Sequence, residues 1–150
     1  MPPGENTTDV TGGIFGKVAY WNGRIYVAAI DDVLRAYSIS NAVISTTPLT
    51  AGDTFGFPGA TPAVSSQGTS NGIVWVLDTN ANGTTTGNST SSGPAVLYAY
   101  DGTNLNKLFS SPTSGASAAG NAVKFTVPTV ANGKVYVAGQ SSISVFGLLP

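Results

Sequence analysis

Seven carboxylates, no histidine and no cysteine set the limits of what this 150-residue chain can do chemically. Without His and Cys it lacks the commonest general base, the thiolate nucleophile and the soft metal ligands. Catalysis would fall to Glu5, Asp9, Asp31, Asp32, Asp53, Asp78 and Asp101. The adjacent pair Asp31-Asp32 falls in an expected hairpin turn, where the two side chains diverge and bond local backbone instead of converging on a substrate. No catalytic, cofactor-binding or metal-binding residue is assigned from the sequence, and no enzyme is expected. With no cysteine, neither a disulfide framework nor a thiolate metal site can form.

The sharpest local motif is Asp78-Thr-Asn80-Ala-Asn82-Gly83. It matches the opening of a calcium loop, in which positions 1, 3 and 5 supply oxygens and a Gly at 6 permits the bend. The second half departs from that pattern: Thr86 stands at position 9, and Ser89 replaces the bidentate Glu of position 12. One carboxylate carries too little charge to replace a divalent cation's water shell, so an Asx turn at the base of a polar loop is the expected role, with calcium the alternative. Glycosylation sequons occur at Asn6, Asn82 and Asn88, as chance matches in Thr-rich stretches. Tyr20-Trp21, Trp75, Tyr98 and Phe55-Gly-Phe57 could form a sugar-binding surface, although packing between sheets is the expected use of such rings.

Charged residues make up only 9% of the chain, against about 25% in an average soluble protein. The six basic residues (Lys17, Arg24, Arg35, Lys107, Lys124, Lys134) are scattered singly, so no stripe exists to neutralise phosphates and nucleic acid is not an expected partner. No apolar run approaches the roughly 20 residues that span a bilayer, and Met1-Pro-Pro-Gly shows no signal-peptide pattern. The Thr- and Asn-rich, weakly charged style points to an extracytoplasmic protein, secreted or periplasmic, of a bacterium. Met1 is read as an introduced start or the cut edge of a longer protein. Recurring aromatic and β-branched blocks exclude disorder for most of the chain, leaving residues 80–93 and the first few as candidates for it.

The elements that would position these residues are strands. Helical periodicity is nearly absent, and Gly or Pro interrupts most stretches. One pattern recurs three times: Val18-Ala-Tyr-Trp-Asn22-Gly23-Arg-Ile-Tyr-Val-Ala28, then Thr61-Pro-Ala-Val64 with Asn71-Gly72-Ile-Val-Trp-Val76, then Val127-Pro-Thr-Val-Ala-Asn132-Gly133-Lys-Val-Tyr-Val-Ala138. Each is followed by a partner block, Leu34–Tyr37, Leu97–Tyr100 and Ile143–Phe146. Asn-Gly is the strongest short hairpin signal, because both residues tolerate positive φ in a type I′ turn. Asn22-Gly23 is expected to join 17–21 to 24–29, and Asn132-Gly133 to join 125–131 to 134–138. Asp31-Asp32 and Gly139-Gln140-Ser141 then supply second turns, leading to strands at 33–39 and 142–146. Fourth strands are expected at 42–47 and 105–110.

Each unit thus reads as a four-stranded antiparallel meander, with the third ending after its third strand. Residues 9–15 are a candidate strand to complete it. The second unit carries an inserted polar loop, residues 80–93, expected to be a mobile excursion. Residues 55–62 and 110–121 are expected to cross from one sheet's outer edge to the next sheet's inner strand.

With the units aligned, the chain resembles the quinoprotein-dehydrogenase-like, or PQQ-like, β-propeller repeats of bacteria. The residues that carry the likeness are Pro128–Val137, its variant at Ala19–Val27, and Leu97-Tyr-Ala-Tyr-Asp101 followed by Gly102-Thr-Asn-Leu105. The resemblance implies blades of a propeller over residues 14–52, 53–113 and 118–150, forming a single three-bladed segment. It does not extend to the cofactor. Where the family's docking motif reads Ala-x-Asp-x-x-Thr-Gly-x-x-x-Trp, this chain keeps Ala99 and Asp101, lacks the Thr-Gly pair and ends in Phe109. No adjacent cysteine pair exists to cover a quinone, so no cofactor is expected.

The sequence therefore predicts an all-β chain of propeller blades that acts as a non-catalytic scaffold. Its blade faces and edge strand would pair with another copy, in a twofold homo-oligomer, or with the remaining blades of a larger protein. An extracytoplasmic glycan- or protein-binding module is the alternative, and a fragment of a PQQ-dependent dehydrogenase a third reading.

Overall fold

Asn22 and Gly23 adopt φ of 46° and 73°, and Asn132 and Gly133 adopt 51° and 69°. These are the paired left-handed conformations that a two-residue hairpin needs. Around them the computed structural model of the protein, which describes residues 12–86 and 89–147, builds antiparallel sheets and no helix.

The first sheet contains β1 (Ala19–Trp21), β2 (Arg24–Ala28), β3 (Asp32–Ser40), β4 (Val43–Ile44) and β5 (Leu49–Phe55). Its main path runs β1-β2-β3-β5, while β4 pairs only with the far end of β3 across the Asn41-Ala42 turn. The fourth strand expected at 42–47 is thus this short hairpin. The long outer strand lies further on, where the alternating Leu49–Phe55 pairs with β3 and buries Phe55.

The second sheet contains β6 (Ala63–Gln67) and β7 (Ser70–Asp78), then a separate hairpin of β8 (Thr84–Thr86) and β9 (Ser89–Ser91), then β10 (Val96–Asp101) and β11 (Lys107–Ser110). Its order is β6-β7-β10-β11, the expected meander. One detail corrects the sequence reading. The β6–β7 turn is Gly68-Thr69, with Gly68 at φ 62°, and Asn71-Gly72 lies inside β7. Gly72 is required there for contact, since an added Cβ would meet the Trp21 ring at 2.5 Å. The inserted loop is also a paired hairpin with an anchored base: Gly93 N–H donates to Ala81 O at 2.8 Å, and Ala122 N–H to Gly93 O at 2.7 Å.

The third sheet is β12 (Thr129–Ala131), β13 (Lys134–Ala138) and β14 (Ile143–Phe146), in that order. The strand expected from 125 begins only at Thr129, because Phe125 takes φ 68°, which no strand accommodates. Residues 12–15 form no strand. Gly13 O accepts from Ile30 N–H at 3.1 Å beside the first sheet, and Asp9 to Thr11 lie outside the described residues.

The three sheets pack in series on two cores. Tyr26, Ala28, Leu34, Ala36 and Phe55 of the first meet Val74, Val76 and Tyr100 of the second. Leu77 and Leu97 of the second meet Val135 and Val137 of the third. Period-2 alternation explains this: β7 and β10 send Val74, Val76 and Tyr100 to one face and Leu77 and Leu97 to the other. The connections 56–62 and 111–128, expected at 55–62 and 110–121, lead from the last strand of one sheet to the first strand of the next.

Candidate functional site

The carboxylates are dispersed. Asp31 sits in the β2–β3 turn at φ 55°, as expected. Asp32 does not share that turn: it opens β3, is buried, and holds Arg35 through two bonds, Nε to Oδ2 at 2.7 Å and Nη2 to Oδ1 at 2.9 Å. Asp101 accepts the Thr103 amide at 2.7 Å and its hydroxyl at 2.5 Å, and these bonds hold its carboxyl below the usual range. Glu5 and Asp9 lie outside the described residues.

Across the first two sheets Asp53 on β5 takes part in a polar knot. Its Oδ2 accepts the Tyr100 hydroxyl at 2.6 Å and its Oδ1 the Lys107 ammonium at 2.6 Å. Lys107 also lies 4.9 Å above the Tyr98 ring. Burial, then the Asp53 carboxylate, pushes the Tyr100 hydroxyl far above the usual phenol range, and burial pushes Tyr26 up to about 12. Both oxygens of Asp53 are engaged, so the knot ties strands together and leaves no carboxylate oxygen directed at open space.

The three side chains of the calcium-like motif serve different partners. Asp78 Oδ1 accepts Asn80 N–H at 2.8 Å, the Asx turn that the sequence predicts. Asn80 Oδ1 turns away to Gly56 N–H at 2.7 Å. Asn82 Nδ2 donates to Ala122 O at 2.9 Å and to Ser92 Oγ at 3.3 Å. Burial raises the Asp78 carboxyl, against the opposing Asn80 amide and the Lys124 charge. The Asn82 nitrogen that a glycan would join is thereby occupied, while Asn6 and Asn88 lie outside the described residues. Thr86 and Ser89 stand on β8 and β9.

Of the aromatic candidates, Trp21 and Phe55 are buried and Trp75 and Tyr98 half-buried, as packing residues should be; Tyr20 and Phe57 are exposed. Phe57 is part of a grouping that the sequence reading missed. Its ring makes edge contacts with Phe15 at 5.4 Å and Phe125 at 5.9 Å, and all three rings are exposed. Each belongs to the segment leading into one sheet. The signal was present: Phe15 and Phe125 both stand four residues ahead of the equivalent positions Ala19 and Thr129, which pair with Tyr26 and Tyr136. Lys17–Tyr20, Pro62–Val64 and Val127–Val130 line a cavity of about 470 Å³ where the first strands of the three sheets, β1, β6 and β12, approach one another.

A larger groove of about 870 Å³ lies between the second and third sheets. Ser65, Ile73, Trp75, Phe109, Gly133 and Phe146 are among its walls. Phe109 and Phe146 meet edge to face at 6.1 Å, and Trp75 Nε1 donates to Ser65 Oγ at 2.8 Å. Comparison with protein-family models, curated proteins and solved structures finds no match to this chain. Among the described residues no helix is long and apolar enough to cross a membrane.

Proposed function

We propose that this chain is a propeller-type scaffold segment without catalysis of its own, built of PQQ-like blades and joined to a second copy through the outward face of its third sheet. The observation that carries the reading is the exposure of Ile143 (73%) and Val145 (54%) on that face. Ile143 and Val145 pair with Ala138 and Tyr136, opposite the face whose Val135 and Val137 enter the core. In the first sheet the corresponding face, with Tyr26 and Ala28, is buried by the second sheet. The third sheet therefore has the chemistry of a covered face and no cover among the described residues. Its last strand, β14, also pairs on one side only, and bare edges and apolar faces drive association.

Light scattering on the purified protein tests this. The expected mass is that of two chains, reduced to one chain by Ile143→Asp with Val145→Asp while the circular dichroism stays unchanged. A compact single-chain mass for the parent protein would sink the reading; a stable mass only inside a longer polypeptide would favour continuation into further blades.

A second reading, an extracytoplasmic glycan- or protein-binding module, draws on the exposed Phe15, Phe57 and Phe125 rings and on the cavity where β1, β6 and β12 approach one another. It requires that Phe57→Ala abolish retention on whichever glycan or protein surface the parent chain binds.

A further inference from the structure

The groove between the second and third sheets corresponds in position to one that is filled. Strand register sets Ala19↔Tyr26 of the first sheet beside Ala63↔Trp75 of the second and Thr129↔Tyr136 of the third. On that alignment Trp21 corresponds to Ser65, and Gly72 corresponds to Gly133. Between the first and second sheets the Trp21 indole covers Gly72 and donates from Nε1 to Gly68 O at 2.8 Å. Between the second and third sheets a serine takes the indole's place. Where a Cβ on Gly72 would strike the ring at 2.5 Å, one on Gly133 would meet nothing within 4 Å.

We infer that this groove is a binding site for an uncharged, planar aromatic molecule of about indole size. Its volume of about 870 Å³ lies inside the roughly 300–1,000 Å³ range of small-molecule sites. Trp75, Phe109 and Phe146 offer ring faces and edges, which favour an aromatic guest by offset or edge contact. The polar side chains of the lining are Ser65, Ser117, Ser144 and Lys134; Ser65 Oγ accepts from Trp75, and Ser144 Oγ donates to Ala118 O at 3.2 Å. A sugar would leave most of its hydroxyls unpaired there, a cation would meet only the Lys134 ammonium and no counter-charge, and that exposed, hydrated ammonium offers an anion little. A flat ring loses little hydration and regains the packing that Trp21 supplies one interface earlier. Both walls of the groove belong to one molecule, although Ile143 and Val145 in its lining are also the residues through which the second copy is proposed to join.

The test is an NMR titration with indole, followed at the side-chain N–H signals of the chain's two tryptophans. The Trp75 signal and the Gly133 amide are expected to shift and saturate while Trp21 stays fixed. Cyclohexylmethanol, a saturated probe, is expected to bind about fivefold more weakly for lack of ring–ring contact. Ser65→Trp, which fills the slot with the chain's own indole, should abolish the Trp75 response and raise the unfolding temperature; Ser65→Ala should keep indole binding. No saturable shift at Trp75, equal binding of both probes, or undiminished binding by a folded Ser65→Trp protein would each overturn the inference. Should Ser65→Trp fail to fold, the titration of the parent chain decides alone.

Discussion

Tyr100 on β10 donates its hydroxyl to Asp53 on β5 at 2.6 Å, joining two strands that belong to different sheets and share no ladder. A hydrogen bond to an ionised acceptor contributes about 1.5–3 kcal/mol, more than a neutral one. Tyr100→Phe is therefore expected to lower the unfolding free energy by about 2 kcal/mol, measured by urea denaturation. A loss indistinguishable from zero would mean that the knot contributes nothing to joining the sheets.

Trp21 and Gly72 should show strong coupling. Trp21→Ala removes a ring that fills the first interface and is expected to cost about 3–5 kcal/mol. Gly72→Ala alone drives a methyl group into that ring, costing about 1–3 kcal/mol. In the Trp21→Ala background the same glycine change should be nearly neutral. Additive losses in the double mutant, read from denaturation midpoints, would contradict the contact.

The half-buried Asp78 gives a pH test with a definite sign. Burial raises its carboxyl in the folded chain, so the fold holds the proton more tightly than the unfolded chain does. Ionisation then costs stability as pH rises through the folded value, and the cost is absent below the unfolded value. Asp78→Asn keeps an oxygen for the Asn80 amide and removes the charge. The variant should melt above the parent at neutral pH and level with it near about pH 3, below the ordinary carboxylate range. An equal difference at both pH values in calorimetry would show that burial of charge is not the cause.

Two buried tyrosines should respond in opposite ways to loss of the hydroxyl. Tyr26 OH donates to Gly102 O at 2.7 Å, so Tyr26→Phe leaves a buried carbonyl unpaired and is expected to cost about 1–2 kcal/mol. Tyr37 is only 3% exposed, and its hydroxyl, near the Arg35 guanidinium, makes no hydrogen bond of good geometry. Tyr37→Phe should thus be neutral or stabilising, because it removes an unmet polar group. Thermal unfolding of the two variants side by side decides the matter.

What could be read from the sequence was whatever depends on neighbours in the chain. Asn22-Gly23 and Asn132-Gly133 announced their hairpins, because positive φ at two successive residues is a local requirement. The β7–β10 pairing followed from matched alternating blocks on either side of the insertion. Asn71-Gly72 misled because its glycine answers to Trp21, a residue 51 positions away that no local pattern reveals. The fate of Asn80 and Asn82 was hidden for the same reason: their partners Gly56 and Ala122 come from the two connections between sheets. The grouping of Phe57 with Phe15 and Phe125 needed the units laid over one another, since only the last two share an offset of four residues from their strands.

That grouping bears on how the chain comes apart. Sheets stacked in series tend to fray from an end, because each touches only its neighbours and one can peel away without the others. Here Phe57 touches a ring from the first unit's lead-in and a ring from the third's, and Lys124 Nζ binds both Phe57 O at 2.6 Å and Thr79 O at 3.1 Å. Detaching the third sheet would tear these contacts as well as its own core. The rings act as a clasp across the stack, tying the lead-in of the third sheet to those of the first and second.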